Sequence, residues 1–397
     1  MRNLTFLVLL AFVAGACSDL LTKAPSDADL FDAPLEGLTA AERAAFVRGD
    51  GEFGRRFSAA TGLGPAFNNV SCASCHSGDG RGRLENSLFR IGSDADDFLT
   101  HLGGPQIQDK AIAGYGAEPV PAGVAVSVRL PPPVFGAGLI EAIPEAAILA
   151  NADENDANGD GVSGRPNWVR AHDYVPHTEH NGGTALRIGR FGRKAQTSTI
   201  LQQTVEAYHQ DIGITSEFRP SENRNPLATS PVEAHDHAGD PEIPNATVQA
   251  VVHYLRVLAP PAPGGSVGNG EALFSSVGCA QCHVPTLTTG AHSISALSHK
   301  SVTLYSDLLL HDMGDALADN RPDGGANGRE WRTTPLWGLR LIRQFLNGQA
   351  FLMHDGRART VEEAILLHAG EGLKARNAFA ALTPAERAAL LAFVESR

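Results

Sequence analysis

Cys72-Ala73-Ser74-Cys75-His76 and, about half the chain later, Cys279-Ala280-Gln281-Cys282-His283 are two copies of one pattern, and their reading decides the fold. Two thiols at this spacing add across the two vinyl groups of a haem, and the adjacent imidazole then reaches the iron from one side. A redox dithiol would leave the histidine after each pair unexplained. One four-cysteine zinc site, or two structural disulfides, would do the same. Two covalently bound haem c groups are therefore expected, one on Cys72, Cys75 and His76 and one on Cys279, Cys282 and His283, with His76 and His283 as iron ligands.

The fifth cysteine, Cys17, ends a different kind of segment. Residues 1–16 place Arg2 ahead of an apolar run and close on Ala14, Gly15 and Ala16, which is the pattern of an export signal. The run is shorter than the roughly 20 residues a spanning helix needs. The small residues before Cys17 read as a lipoprotein signal peptide, so the expected location is the periplasm, anchored to a bacterial membrane through lipidated Cys17. The formal charge is −12, and removal of Arg2 makes it more negative. Such a chain does not suit nucleic acid, which demands concentrated positive charge. It suits a small electron-donor protein with a basic patch, such as a cytochrome c or a cupredoxin; a membrane quinol pathway is the other donor in view.

Residues 17–37 read as a polar tether. Thr39 followed by Glu42, and Thr383 followed by Pro384 and Glu386, are capping boxes opening helices near the two ends of the mature chain. A helix over 246–258 runs into the Pro/Gly-rich stretch 259–267, the clearest linker. It divides an N-terminal haem domain, 38–258, from a C-terminal one, 268–397. Only 123–130 alternates as a strand should. Aromatic residues are 6% of the chain, against 42 Gly and 24 Pro. The fold class expected is mainly α, with two cytochrome c-like haem domains, long irregular loops and little β.

The sixth ligand of each iron decides what the haem does, because methionine favours electron transfer while an open position admits a small molecule. Only Met313 and Met353 follow the signal segment. Both lie beyond the linker, with His311 a further candidate, so the first haem has no methionine to use. A reactive first haem and a higher-potential second haem follow from that asymmetry.

Several segments resemble the bacterial dihaem cytochrome c peroxidase and MauG superfamily, specifically its branch of dihaem or thiol oxidoreductases: 62–82, 156–167, 189–195, 211–216, 278–285, 308–314, 331–339 and 351–365. The resemblance covers nearly all of the mature chain. It implies Met313, before Thr334-Pro335-Leu336, as the sixth ligand of the second iron. It also implies a catalytic amide and acid at the first iron, for which Gln203 and Asp211 stand in order; their register is two residues shorter than the peroxidase pattern, and the acid is Asp instead of Glu. Glu141 is a second carboxylate candidate and Gln106 a further distal one.

The loop 152–164 reads as the first half of a calcium loop, with Asp156, Asn158 and Asp160 as alternating oxygen ligands and the carbonyl of Val162 added. The terminal bidentate Glu is missing, Asn167 standing at that offset, yet the superfamily's interdomain calcium tilts the reading toward a structural ion over a solvated acidic turn. Arg81, Arg83, Arg357 and Arg359 are candidates to pair with haem propionates, and Trp168, Trp331 and Trp337 to relay electrons. The function expected is a peroxidase-like dihaem oxidoreductase that reduces hydrogen peroxide at the N-terminal haem with electrons entering through the C-terminal haem. A non-enzymatic electron carrier and MauG-like oxidation of a partner protein are the alternatives.

Overall fold

The computed structural model describes residues 31–76, 78, 80–176, 186–228, 235–265 and 268–397. The signal segment, Cys17, most of the tether and the last two linker residues lie outside them. In chain order the elements that build the site are helices α1 (Ala40–Gly54) and α2 (Cys72–Cys75), strands β1 (Leu88–Gly92), β2 (Gln106–Ile107) and β3 (Ala125–Arg129), helices α3 (Ile200–Ala207), α4 (Asn245–Val257) and α5 (Gly270–Ser276), strands β4 (Leu310–Asp312) and β5 (Glu330–Arg332), and helices α6 (Val361–Leu367) and α7 (Pro384–Glu395). Among the described residues no helix is long and apolar enough to cross a membrane.

Local chemistry starts α1 and α7 where the capping pattern predicts. The Glu42 amide donates to Thr39 Oγ1 at 3.2 Å while the Thr39 amide donates to the Glu42 carboxylate at 2.7 Å, and Thr383 and Glu386 repeat the exchange. Two orphan amides of each first turn are thereby satisfied. Each half then makes the same crossing, α1 against α4 and α5 against α7. A Cβ on Gly49 would lie 2.2 Å from the Ala250 carbonyl oxygen and 2.6 Å from Tyr254 Cβ; on Gly270 it would lie 2.3 Å from the Ala389 carbonyl oxygen and 2.6 Å from Phe393 Cβ. Only glycine lets these helix backbones approach so closely.

Helix makes up 34% of the structure and strand 12%, so the architecture is mixed and the mainly α expectation needs correcting. The strands fall into five small sheets among the described residues. Most are two or three residues long, too short to show alternation in sequence. In the largest sheet β1 is central, with β2 and β3 antiparallel on either side; Arg90 faces Gln106 in one pairing and Leu88 faces Arg129 in the other. Period-two geometry puts these four side chains on one face.

The cores ignore the linker. Phe46, Phe53, Leu201 and Val252 pack in one cluster with Leu341, and a second cluster joins Leu139, Ile143 and Ile188 to Leu304, Leu308 and Leu309. A buried ionic lock adds to this. Arg129 pairs with Asp319 and Asp323, and Lys194 Nζ lies 2.7 Å from Asp319. Burial of Lys194 drives its amine down to about 8, which Asp319 opposes.

Candidate functional site

Two cavities open inside this frame, each carrying one copy of the five-residue pattern. In the first, Ser71 caps α2 and the short helix presents Cys72 and Cys75, with His76 at its end. The His76 Nδ1–H donates to the Pro132 carbonyl at 2.8 Å, which leaves the lone pair on Nε2. Burial pushes that imidazole down to about 4, so it stays neutral. Another part of the wall comes from α3, whose last turn passes into a π-helical segment at Tyr208–Ile212. Gln203, Thr204 and Ala207 line the cavity from α3 and Asp211 lines it from the π segment, while the β1–β3 face contributes Leu88, Arg90, Gln106 and Arg129. The wider turn of a π segment re-aims the side chains that follow it.

Asp211 and Gln203 have contrasting surroundings. Enclosure in the cavity wall pushes the Asp211 carboxyl up to about 6, opposed by the Gln106 amide that donates to it and by Arg90. The Gln203 amide oxygen is enclosed without a protein partner. An acid near neutrality can exchange a proton with a small polar molecule in the cavity, and an unsatisfied amide lining the same cavity can orient one.

The second cavity repeats the proximal arrangement. The His283 Nδ1–H donates to the Tyr305 carbonyl at 2.9 Å, and burial again pushes the ring down to about 4. Met313 and His368 also line this cavity. A Cβ on Gly372 would lie 3.2 Å from Met313 Cε and 3.1 Å from His368 Cδ2, so the two side chains share a corner. The His368 Nδ1–H donates to the Ala364 carbonyl at 2.7 Å, one turn back on α6, which fixes the ring with its lone pair on Nε2. His311 is differently committed: Nε2 meets Asp307 at 2.8 Å and Nδ1 meets Glu371 at 2.7 Å. Those bonds raise it well above the ordinary histidine range despite burial, and no nitrogen remains for iron.

Arg193 and Arg332 line both cavities, and Arg81 lines the second. All three are buried. Arg193 donates to the Leu130 carbonyl, Arg332 to those of Gly192 and Thr333, and Arg81 to those of Phe351 and Met353. Among the described residues no carboxylate forms an ion pair with any of them, and Arg81 Nε has no partner at all. Buried cations without a paired acid are costly: burial lowers the proton affinity of all three, and Arg81 and Arg332 lower that of Arg193 further. Two cavities with this cationic wall between them fit a group that brings its own carboxylates, as a haem does through its propionates.

A family described as "Di-haem oxidoreductase, putative peroxidase" matches residues 14–97 and 117–397. The chain belongs to the di-haem oxidoreductase family. No curated protein matches it. A chain of Kuenenia stuttgartiensis hydrazine synthase, solved under xenon pressure, is similar at 14% identity and a TM-score of 0.37, over 95% of this chain and 98% of that one.

In this family member the structure gathers Cys72, Cys75, His76, Gln203, Asp211 and Gln106 at the first cavity, and Cys279, Cys282, His283 and Met313 at the second. Glu141 stands apart from both. Its carboxylate accepts the Ile200 amide at 2.7 Å and the Arg256 guanidinium at 2.6 Å, so it anchors the start of α3. Asp156, Asn158 and Asp160 accept backbone amides of their own loop (Gly161, Asp160 and Val162), and Asp160 also accepts from Gln281. Elsewhere, among the described residues, the three carboxylates of Glu222, Asp236 and Asp240 bring oxygens within 4.8 Å of one another. Val162 lines the second cavity. Trp337 lines the first cavity, Trp331 the second, where it stacks on His354 at 3.7 Å, and Trp168 is exposed. Arg357 is paired with Asp355 instead of facing a cavity. His368, Arg193 and Arg332 escaped the sequence reading. His368 follows the last turn of α6, and the two arginines reveal their purpose only when the fold shows that, among the described residues, no carboxylate forms an ion pair with them.

Proposed function

We propose that this chain is a dihaem c-type peroxidase, exported to the periplasm and held at a membrane through Cys17. Cys72 and Cys75, and Cys279 and Cys282, would hold the two haems covalently, with His76 and His283 as proximal ligands and the three arginines receiving propionates. When bound, the haems supply the irons and the electron store. The observation that carries the reading is that an Asp211 carboxyl pushed up to about 6 and a partnerless Gln203 amide oxygen line the same first cavity.

The reaction is hydrogen peroxide plus two protons and two electrons giving two waters. Asp211 in its carboxylate form takes the proton from the near oxygen and returns it to the departing one, and the Gln203 amide holds the peroxide in line. The apolar wall of Phe53, Val251 and Leu255 keeps bulk water out. Electrons come from a small basic donor, a cytochrome c or cupredoxin, or from a quinol pathway, and enter at the second site. There His368 has a stronger claim than Met313 to close the iron, because its ring is already locked by the Ala364 bond.

The test is rapid mixing of the half-reduced holoprotein with peroxide while following both haem spectra. Fast peroxide-dependent oxidation, lost in Asp211→Asn at unchanged haem content, is the expected result. Two ligand-inert, six-coordinate haems would instead make the chain an electron carrier. Oxidation of a partner protein without peroxide turnover would favour the MauG-like alternative.

A further inference from the structure

The family match breaks over residues 98–116, yet a side chain from that stretch bonds the acid at the first cavity. Gln106, 4% exposed on β2, donates its amide to Asp211 Oδ1 and to Asn68 Oδ1 at 3.2 Å. Asn68 closes the arrangement by donating Nδ2 to the carbonyl of Ile107, the next residue of β2, at 2.8 Å. The amides of Asn68 and Asn69 donate to the Asp211 backbone carbonyl at 2.7 and 3.0 Å. Asp211 is therefore clamped from two sides, by the segment leading into Cys72 and by a strand outside the family match.

We propose that Gln106 is a positioning residue that holds the Asp211 carboxylate in one orientation and in its ionised form, and that residues 98–116 are where this chain adjusts its first site relative to its family; the inference rests on the peroxide reading above. An amide N–H donated to a carboxylate stabilises the charged form over the neutral one. The other charged groups that bear on Asp211 are Arg90 from β1 and Glu206 from α3, while Cys75 on α2 feels Asp211 together with Asp109 and Lys110 just after β2. Of these Arg90 assists Gln106 and Glu206 opposes it. Among the described residues Gln106 is the one in direct hydrogen-bond contact with the carboxylate, so it is the residue whose removal Asp211 must register.

The experiment is an infrared pH titration of the carboxyl bands in holoprotein, comparing the native chain with Gln106→Met, Gln106→Glu and Asp211→Asn. Subtracting the Asp211→Asn titration isolates the Asp211 band. Gln106→Met, which keeps the shape and removes the donor, is expected to raise the Asp211 midpoint by about one to two pH units, the size of a hydrogen bond to an ionised group. The acidic limb of peroxide turnover should move up by the same amount, with most of the rate recovered at high pH. An unmoved midpoint with a rate lowered evenly across pH would overturn the proposal, since that is what a merely structural residue does. If Gln106→Met fails to retain haem, Gln106→Glu decides: a second carboxyl sharing the site must raise the midpoint further, and an unchanged midpoint overturns the clamp. Full turnover in Asp211→Asn would sink the peroxide reading alone, because the infrared shift tests the clamp without any turnover.

Discussion

At the scale of single residues, Asp211 shows how one environment supplies both reactivity and instability. Its carboxyl titrates near 6 in the folded chain against 3.8 ordinarily. A raised value means the folded state binds this proton more tightly than the unfolded one, so the contribution to stability is complete below 3.8 and is lost as pH rises through about 6. Asp211→Asn is therefore expected to melt higher than the native holoprotein at pH 8, by about 2 kcal/mol since the carboxylate is partly open to the cavity, and to match it near pH 4. Peroxide turnover should meanwhile fall about 100- to 10,000-fold. A melting difference that ignores pH would show that the carboxylate carries no such cost. The second site gives an equally sharp residue-level outcome. His368→Ala should turn the second haem from low-spin to high-spin in its EPR spectrum, while Met313→Ala should leave the spin state alone; the reverse pattern would assign the iron to Met313.

At the scale of elements, the two glycine crossings are the feature to break. Gly270→Ala forces a methyl group against the Ala389 carbonyl and Phe393, and Gly49→Ala does the same at Ala250 and Tyr254. Each should cost about 1–3 kcal/mol, read as a lower melting temperature of the holoprotein. Unchanged melting in both would mean that the helices slide apart freely. Elements of this kind were half legible in the sequence. The capping boxes at Thr39 and Thr383 announce α1 and α7 because capping is local chemistry among four residues. β1 and β2 announce nothing, because a strand of two to five residues takes its pairing from distant partners. So Gln106 could be suspected of belonging to the first cavity while its bond to Asp211 stayed out of sight. Glu141 was misplaced for a related reason: sequence displays a carboxylate, and only the fold shows that the Ile200 amide and Arg256 have already claimed it.

At the scale of the whole molecule, the linker separates segments of sequence that share cores, the Arg129 and Asp323 lock, and one cationic wall. Because Arg193 and Arg332 line both cavities, replacing either should register at both irons. Arg193→Met removes positive charge that favours the reduced state, so a potentiometric titration should find both midpoints moved to more negative values, and a change confined to one haem would separate the sites electrostatically. The same wall sets an order of events. Cys72 and Cys75 occur early in the chain, but Arg332, Thr334, Pro335 and Trp337, which close the first cavity, occur late. As the chain leaves its site of synthesis from the N-terminal end, the first pair of thiols is present long before its chamber can shut. If the haem is bonded to those thiols as proposed, that interval is when so bulky and planar a group can be delivered, and the arrival of residues 332–337 is what ends it.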